Sequence, residues 1–213
     1  MTARDVSHVE IYTRDKSPVI HRLVSGLGFT RVADCVEVDR SSVLLTRGGA
    51  GVVVTSGWAA CFTRPHHRRA GDVGVRCDDV TAVREAALAA GAAVTRSAQG
   101  HPVVSGIGPV TCTLLPAAPH TGFLPDGRTW VPCTPRPSRT AGTRPSWTAP
   151  DDGDEHLELR LDGRMPDRHA AFYRDVLDVA STWPAPSAGP DILALAGAPG
   201  GLAVLCVAGV RTG

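Results

Sequence analysis

Polar and apolar side chains alternate along residues 6–13, VSHVEIYT, the pattern of a strand with one buried face. In residues 15–28, DKSPVIHRLVSGLG, apolar side chains recur at helical spacing, and the segment ends at a glycine. Three strand candidates follow in residues 29–57, FTRVADCVEV, SSVLLTRG and AGVVVTSG, separated by turn residues. This order of strand, helix and three strands predicts a βαβββ unit.

A second unit is predicted to begin at the strand GDVGVRCDDV. Its helix is TAVREAALAAGAAV, with Asp78 or Asp79 placed to cap the N-terminus and Gly91 to end the helix. Strands around HPVVSGIG and PVTCTLLP complete this unit. A third unit opens with the strand EHLELRL and the helix PDRHAAFYRDVLDV, and PDILALAG and GGLAVLCVAG follow as strands. We predict three units and not four.

These elements predict an α+β protein of repeated βαβββ units. Two units form an N-terminal domain, residues 1–115, and one forms a truncated C-terminal domain, residues 154–213. Between them, residues 116–153 contain eight prolines, which indicates an extended connector that Trp130 and Trp147 anchor by burial. Because a lone unit leaves a sheet edge and an apolar face exposed, we expect a homodimer or another partner to dock on residues 154–213.

Charge and composition narrow the possible partners. The chain has 22 basic and 21 acidic residues and no basic block, which argues against nucleic acid and membrane surfaces as partners. No apolar run approaches the roughly 18 residues of a membrane span, and the N-terminus lacks a signal-peptide core, so a cytoplasmic protein is expected. The six cysteines stand singly, without the spacing of a zinc site, which suits a reducing compartment.

Several stretches, in their order along the chain, resemble one known family. They are HVEIYT through LGFTRVA, SVLLTRGGAGVVVTSG, AGDVGVRCDDVTAVREAALAAGAAV, GPVTCTLLP with FLPDGRTWVP, and DEHLELRLDGRMPDRHAAFYRDVLDV. The chain resembles the vicinal oxygen chelate superfamily and, within it, the 4-hydroxyphenylpyruvate dioxygenase and hydroxymandelate synthase group. The resemblance covers nearly the whole chain but not the family's last βαβββ unit.

The resemblance implies an iron site that this chain would fill only in part. Family members bind Fe(II) through two histidines and one glutamate, and His156 matches the first histidine. The other two ligands belong to the fourth unit; no glutamate follows Glu158, and the later His169 is predicted on a helix. His156 is then a remnant without metal, or half of a site shared by two copies, or a ligand completed by another chain. In a dimer, Cys206 would stand where the family has its glutamate, and a thiolate with imidazole favours zinc over iron.

A second candidate site lies in the first two units. By the repeat, His8 holds the position equivalent to that of His156, and Glu10 lies on the same face of the strand. Asp72 holds the matching position in the second unit. These three side chains could form a pocket for acid–base catalysis or hydrogen bonding. The alternative, which the pattern alone favours, is a solvated strand edge.

Three functions are compatible with this sequence. The first is a small-molecule enzyme or enzyme-like protein, diverged from the dioxygenases, that acts on an aromatic or oxo-acid metabolite in specialised metabolism. The second is a binding protein that sequesters a small molecule such as an antibiotic, without metal or chemistry. The third is an Fe(II)-dependent 2-oxo-acid dioxygenase whose site another chain completes.

Overall fold

The strand predicted at residues 6–13 lies in the middle of a nine-stranded mixed sheet in the computed structural model of the chain. The structure describes residues 3–57, 71–117, 128–133, 156–162, 167–177, 182–183, 192–194 and 202–207, apart from positions 39, 49, 98, 108 and 109. For the strands after residue 155 this description is of the backbone alone. Within these ranges, no helix is both long enough and apolar enough to cross a membrane.

The nine-stranded sheet joins the first two predicted units. Its strands are β1 Ala3–Tyr12, β2 Thr30–Val36, β3 Arg40–Arg47, β4 Ala50–Gly57, β5 Gly71–Cys77, β6 Ala93–Arg96, β7 Pro102–Ser105, β8 Thr111–Pro116 and β9 Val131–Pro132. Their order across the sheet is β6-β7-β8-β5-β1-β4-β3-β2-β9. β1 runs parallel to β4 and antiparallel to β5, and β8 runs parallel to β5 on its other side. A sheet-dominated α+β fold, as predicted, is confirmed.

The helix predicted after β5 forms as expected. Helix α2 spans Val80–Ala89, and the Asp79 side chain accepts a hydrogen bond from the backbone N–H of Ala82 at 2.9 Å. That bond satisfies one of the backbone donors that the first turn of a helix leaves open. Gly91 follows the helix with φ of 82°, a left-handed conformation that favours glycine.

The helix predicted over residues 15–28 is shorter than expected. Helix α1 covers only Ser17–His21, and the chain then continues as a wider π-helical turn, Arg22–Gly26. This segment has proline near its start, three β-branched residues and an interior glycine, all of them poorer helix formers than alanine or leucine. The predicted end at glycine is correct, because Gly28 has φ of 70°.

Alternation along the strands separates an apolar face from a polar one. Val9 and Ile11 of β1 belong to the main core, which the helices cover. The intervening positions of the same strand carry His8, Glu10 and Tyr12 on the opposite face. The site described below lies on that polar face.

The third segment forms a second sheet and one helix. Its strands are β10 His156–Asp162, β11 Thr182–Trp183, β12 Ile192–Ala194 and β13 Leu202–Val207, in the order β11-β10-β13-β12. Helix α3, Asp167–Asp175, follows β10, as the sequence pattern predicted.

The apolar face of α3 packs within this chain against the core of the first sheet. Phe172 and Tyr173 are buried there, and the Tyr173 hydroxyl donates to the Ile107 carbonyl oxygen at 3.2 Å. The apolar face of helix α3 is therefore covered inside one chain. The homodimer through residues 154–213 stays a prediction, and it now depends on the edge and the face of the sheet of this segment.

Candidate functional site

A cavity of about 260 Å³ lies on the polar face of the nine-stranded sheet. Its size is just below the range of about 300–1,000 Å³ that holds drug-sized ligands, so it suits a small metabolite. Its floor consists of side chains from β1, β5 and β8, and its wall includes the segment between β6 and β7 and one arginine of the connector. The lining residues are His8, Glu10, Tyr12, Arg40, Asp72, Ser97, Gln99, His101, Val103, Thr111, Thr113, Leu115 and Arg128.

The three side chains proposed from the sequence for acid–base work all line this cavity. Glu10 and Asp72 occupy paired positions of β1 and β5, and His8 lies two pairs further along, opposite Gly74. His8, Glu10 and Asp72 are only 9%, 4% and 8% exposed. The alternative of a solvated strand edge is therefore wrong, because β1 is an interior strand with neighbours on both sides. A catalytic role for the three residues stays a prediction.

A buried ion pair fixes Glu10. The Arg128 Nη2 atom donates to both carboxylate oxygens of Glu10, at 2.7 and 2.6 Å, and the two side chains are 9% and 5% exposed. The Thr55 hydroxyl donates to the same carboxylate, and Arg128 Nη1 donates to the Ser42 hydroxyl at 3.2 Å. These contacts use most of the acceptor capacity of Glu10, so the geometry suits an anchoring role better than a catalytic one.

Residues 128–133, the described segment that carries Arg128, pack on the polar face next to the cavity. The guanidinium carbon of Arg128 lies 5.7 Å from the centre of the Trp130 ring, a cation–π contact. Trp130 packs, as predicted, against the small apolar cluster of this face, Ala33, Leu44 and Val53. β9 then pairs with the edge strand β2. The other predicted anchor, Trp147, lies outside the described residues.

Asp72 is the second buried carboxyl group of the site. Its two oxygens accept hydrogen bonds from the hydroxyls of Thr111, at 2.6 Å, and Thr113, at 2.7 Å. Burial raises the pKa of Asp72 to about 6, because the charged form loses its hydration; the threonine bonds and Arg128 oppose the rise, and Glu10 adds to it. Asp72 therefore exchanges its proton near neutral pH, as a general acid or base must.

Tyr12 adds a neutral phenol to the cavity wall. Burial, followed by the nearby charges of Glu10 and Asp72, raises the pKa of Tyr12 above its ordinary value. The hydroxyl keeps its proton and hydrogen-bonds to Glu10. Tyr12 thus helps to hold the carboxylate and does not act as a base.

Two glycines on the neighbouring strands make room for His8. The imidazole lies over Gly74, where an added Cβ would come within 2.6 Å of the ring carbon Cε1 and 2.7 Å of Nδ1. On the other side, a Cβ at Gly51 would meet Ser7 O and His8 Cβ at the ordinary contact distances of 3.5 and 3.6 Å. The ring position therefore depends on Gly74 and not on Gly51.

The substitution Gly74→Ala is expected to destabilise the protein and to displace the His8 ring. The new methyl group overlaps the imidazole, whose ring atoms can rotate away, so the loss is expected at the low end of the about 1–3 kcal/mol typical of overpacking. Gly51→Ala is the matched control, with a much smaller expected loss. Urea unfolding of both variants checks this, and equal losses would mean that the ring does not lie against Gly74.

No cluster of three or more metal-ligating side chains occurs in the part of the chain that the structure describes. In the cavity, Arg128 and Thr55 engage the oxygens of Glu10, so Glu10 and Asp72 do not form a ligand set for a resident metal ion. The expected ligands His156 and Cys206 lie on β10 and β13, where His156 pairs with Val207 and Cys206 with Leu157. A site shared between copies, with iron or zinc, stays a prediction.

Several residues of the cavity have no assigned role in the sequence-based predictions. Arg128 was noted only within the family-like stretch FLPDGRTWVP, although a buried glutamate on an interior strand requires a cation. Thr111 and Thr113 stand at alternate positions of β8, which was a readable sign that both face one side of the sheet. His101 also lines the cavity, and no motif in the sequence marks it.

Comparison with known proteins identifies the fold. No family model matches this sequence, and no curated protein matches it. Among solved structures, a triple mutant of 4-hydroxymandelate synthase from Streptomyces coelicolor is similar, with a TM-score of 0.58 and 26% sequence identity over 82% of this chain and 52% of that chain.

A xylose isomerase-like TIM barrel/4-hydroxyphenylpyruvate dioxygenase fusion protein is also similar, with a TM-score of 0.53 and 17% identity over 82% of this chain and 27% of that chain. This chain therefore spans about half of the first structure and about a quarter of the second. Both neighbours are vicinal oxygen chelate enzymes, and this chain has a fold similar to theirs.

Proposed function

We propose that this chain is a small-molecule enzyme of the vicinal oxygen chelate type, built from three βαβββ units. It acts on an aromatic or oxo-acid metabolite in the cavity beside Asp72. One observation carries the proposal: a buried carboxyl group with a pKa of about 6 lines a metabolite-sized cavity and is held there by two hydroxyls. Such a combination of burial and a shifted pKa in a cleft is typical of functional sites.

In this proposal Asp72 is the group that moves a proton. Above pH of about 6 it is a carboxylate that accepts a proton from the bound ligand, and it can return that proton in a later step. Thr111 and Thr113 hold the carboxylate in one orientation, and His8 supplies a second polar group on the same floor. Glu10 and Arg128, held together as an ion pair, keep a fixed position beside Asp72 in the cavity lining.

The proposal is tested with a panel of aromatic metabolites, amines included, and of 2-oxo acids that include 4-hydroxyphenylpyruvate; NMR follows binding and conversion. We expect one or more members to bind and be converted, with conversion reduced about 100-fold or more by Asp72→Asn and unchanged by the exposed control Asp78→Asn. Conversion should rise with pH through about 6, since Asp72 must be ionised to accept a proton. Conversion that is equal in both variants, or a complete lack of binding, would contradict the proposal.

A non-catalytic binding protein is the second candidate function. It is favoured by the hydrogen bonds that Glu10 receives from Arg128 and Thr55. Because these bonds occupy Glu10, it does not serve as a second acid–base group beside Asp72. Binding in the cavity without conversion of any panel member would support this reading.

The third candidate, an Fe(II) dioxygenase completed by another chain, depends on His156. Oxygen uptake with 4-hydroxyphenylpyruvate and ferrous iron, together with elemental analysis of the purified protein, tests it. Uptake that is lost in His156→Ala and kept in Asp72→Asn would favour this candidate over the proposal.

A further inference from the structure

The floor of the cavity is rich in hydrogen-bond acceptors around Asp72. Each threonine hydroxyl has one proton, and Thr111 and Thr113 both donate theirs to Asp72. Their oxygens therefore present lone pairs, as do the remaining acceptor positions of the carboxylate. The Thr111 hydroxyl also lies 3.4 Å from the Gly71 carbonyl oxygen, a longer contact than its hydrogen bond to Asp72 at 2.6 Å. A surface of this kind is complementary to a ligand group that donates several hydrogen bonds.

The charge of Asp72 is not balanced in the way that the charge of Glu10 is. Arg128 donates to both oxygens of Glu10, and the two charges of that pair act on Asp72 in opposite directions, since Glu10 raises and Arg128 lowers its pKa. A carboxylate that stays ionised when buried needs compensation by an opposite charge. The titratable and charged groups that line the cavity with Asp72 are His8, Glu10 and Tyr12 from β1, Arg40 from β3, His101 before β7 and Arg128 from the connector.

Apolar side chains stand beside this acceptor-rich floor. Val103 of β7 and Leu115 of β8 line the same cavity as Asp72. They offer a wall on which a ring or a short hydrocarbon chain can pack while a polar head group reaches the carboxylate.

We infer that the cavity binds an aromatic amine, with its protonated amino group seated on Asp72, Thr111 and Thr113 and its ring against Val103 and Leu115. This inference rests on the proposed small-molecule function and, of the two ligand classes named there, selects the aromatic metabolites. An ammonium group has three N–H donors and no acceptor, which matches the floor, and its positive charge compensates the buried carboxylate.

Three probes that share one ring and differ in the head group test this inference: benzylammonium, benzyl alcohol and benzoate. Isothermal titration at pH 7.5 gives their affinities for the protein, and backbone NMR shifts of β1, β5 and β8 locate the binding. We expect benzylammonium to bind most tightly and benzoate least. Since hydrogen bonds to charged groups are worth about 1.5–3 kcal/mol, Asp72→Asn should weaken benzylammonium by roughly tenfold or more. Thr113→Val should weaken it less, and the exposed control Asp78→Asn should leave it unchanged.

Acidification provides an independent readout. Benzylammonium keeps its charge at pH 5, whereas Asp72, with a pKa of about 6, is then ionised in only about one molecule in ten. Affinity should therefore fall about tenfold between pH 7.5 and pH 5, and Asp72→Asn should abolish that dependence. Tighter binding of benzoate in the cavity would overturn the inference and leave the proposed small-molecule function standing. Equal binding of benzylammonium to the natural protein and to Asp72→Asn would also overturn the inference, as would failure of all three probes to bind. The proposed function is decided separately, by conversion of the metabolite panel.

Discussion

Replacement of Arg128 by alanine is expected to lower the free energy of unfolding by about 3–5 kcal/mol. The substitution leaves Glu10 buried on an interior strand without the guanidinium that donates to both of its oxygens. It also removes the contact with the Trp130 ring and the hydrogen bond to the Ser42 hydroxyl. Most of the loss comes from the unpaired buried charge, since a charge without its partner keeps the full cost of desolvation. Urea unfolding at neutral pH measures the effect.

Arg31→Ala is the matched control for this substitution. Arg31 pairs with Asp34, but its side chain is 50% exposed and that of Asp34 30% exposed, so the loss should stay below about 1 kcal/mol. The double variant Glu10→Gln/Arg128→Ala should recover a large part of the stability lost in Arg128→Ala, because a neutral amide carries no charge to desolvate. If Arg128→Ala lowers the free energy of unfolding no more than Arg31→Ala does, the Glu10–Arg128 pair does not hold the connector on the sheet.

Local patterns predicted the elements of this fold well. The α2 helix has its cap, its apolar spacing and its terminal glycine within fifteen residues, and each of these signals acts through near neighbours. The wider turn after α1 was not predicted, since helical spacing alone does not distinguish an α-helix from a π-helical turn.

The environment of the candidate site was harder to predict because it depends on distant parts of the chain. His8, Glu10 and Asp72 were identified from their positions in the repeat, yet their burial depends on β1 lying between β4 and β5, and alternation does not reveal strand order. Arg128 is 118 residues from Glu10 along the chain, in a proline-rich segment whose sequence gives no sign of its target. The three candidate residues could therefore be named from the sequence, but the ion pair that fixes Glu10 could not.

Replacement of Asp72 by asparagine is expected to stabilise the protein at pH 8, by about 2–3 kcal/mol. Burial raises the pKa of Asp72 from 3.8 to about 6, so the folded state holds this proton more tightly than the unfolded chain does. A shift of about two units corresponds to about 3 kcal/mol. Asparagine removes the buried charge and keeps the shape of the side chain. The Thr111 hydroxyl can then donate to the Gly71 carbonyl oxygen and accept from the new amide.

The pH dependence of this gain has a definite sign. Below pH of about 4 the carboxyl group is protonated in both states, so the variant and the natural protein should differ little. As the pH rises from about 4 to about 6, the unfolded chain releases its proton first, the natural protein loses stability relative to the variant, and above about 6 the difference is complete. Urea unfolding at pH 4, 6 and 8 measures it, with Asp78→Asn as the exposed control. A difference that is constant with pH, or a variant that is less stable at pH 8, would contradict the raised pKa.

The same substitution is expected to gain stability and to lose the ligand, and this pairing separates a functional carboxylate from a structural one. A carboxylate that supports the fold through an ion pair, as Glu10 does with Arg128, is expected to cost stability when one partner of the pair is removed. Asp72 is expected to do the reverse, because burial of its charge is unfavourable in the free protein and a bound cationic ligand would compensate it. Saturation with benzylammonium at pH 8 should therefore stabilise the natural protein and leave Asp72→Asn nearly unchanged, so that the gap between them closes as the ligand concentration rises.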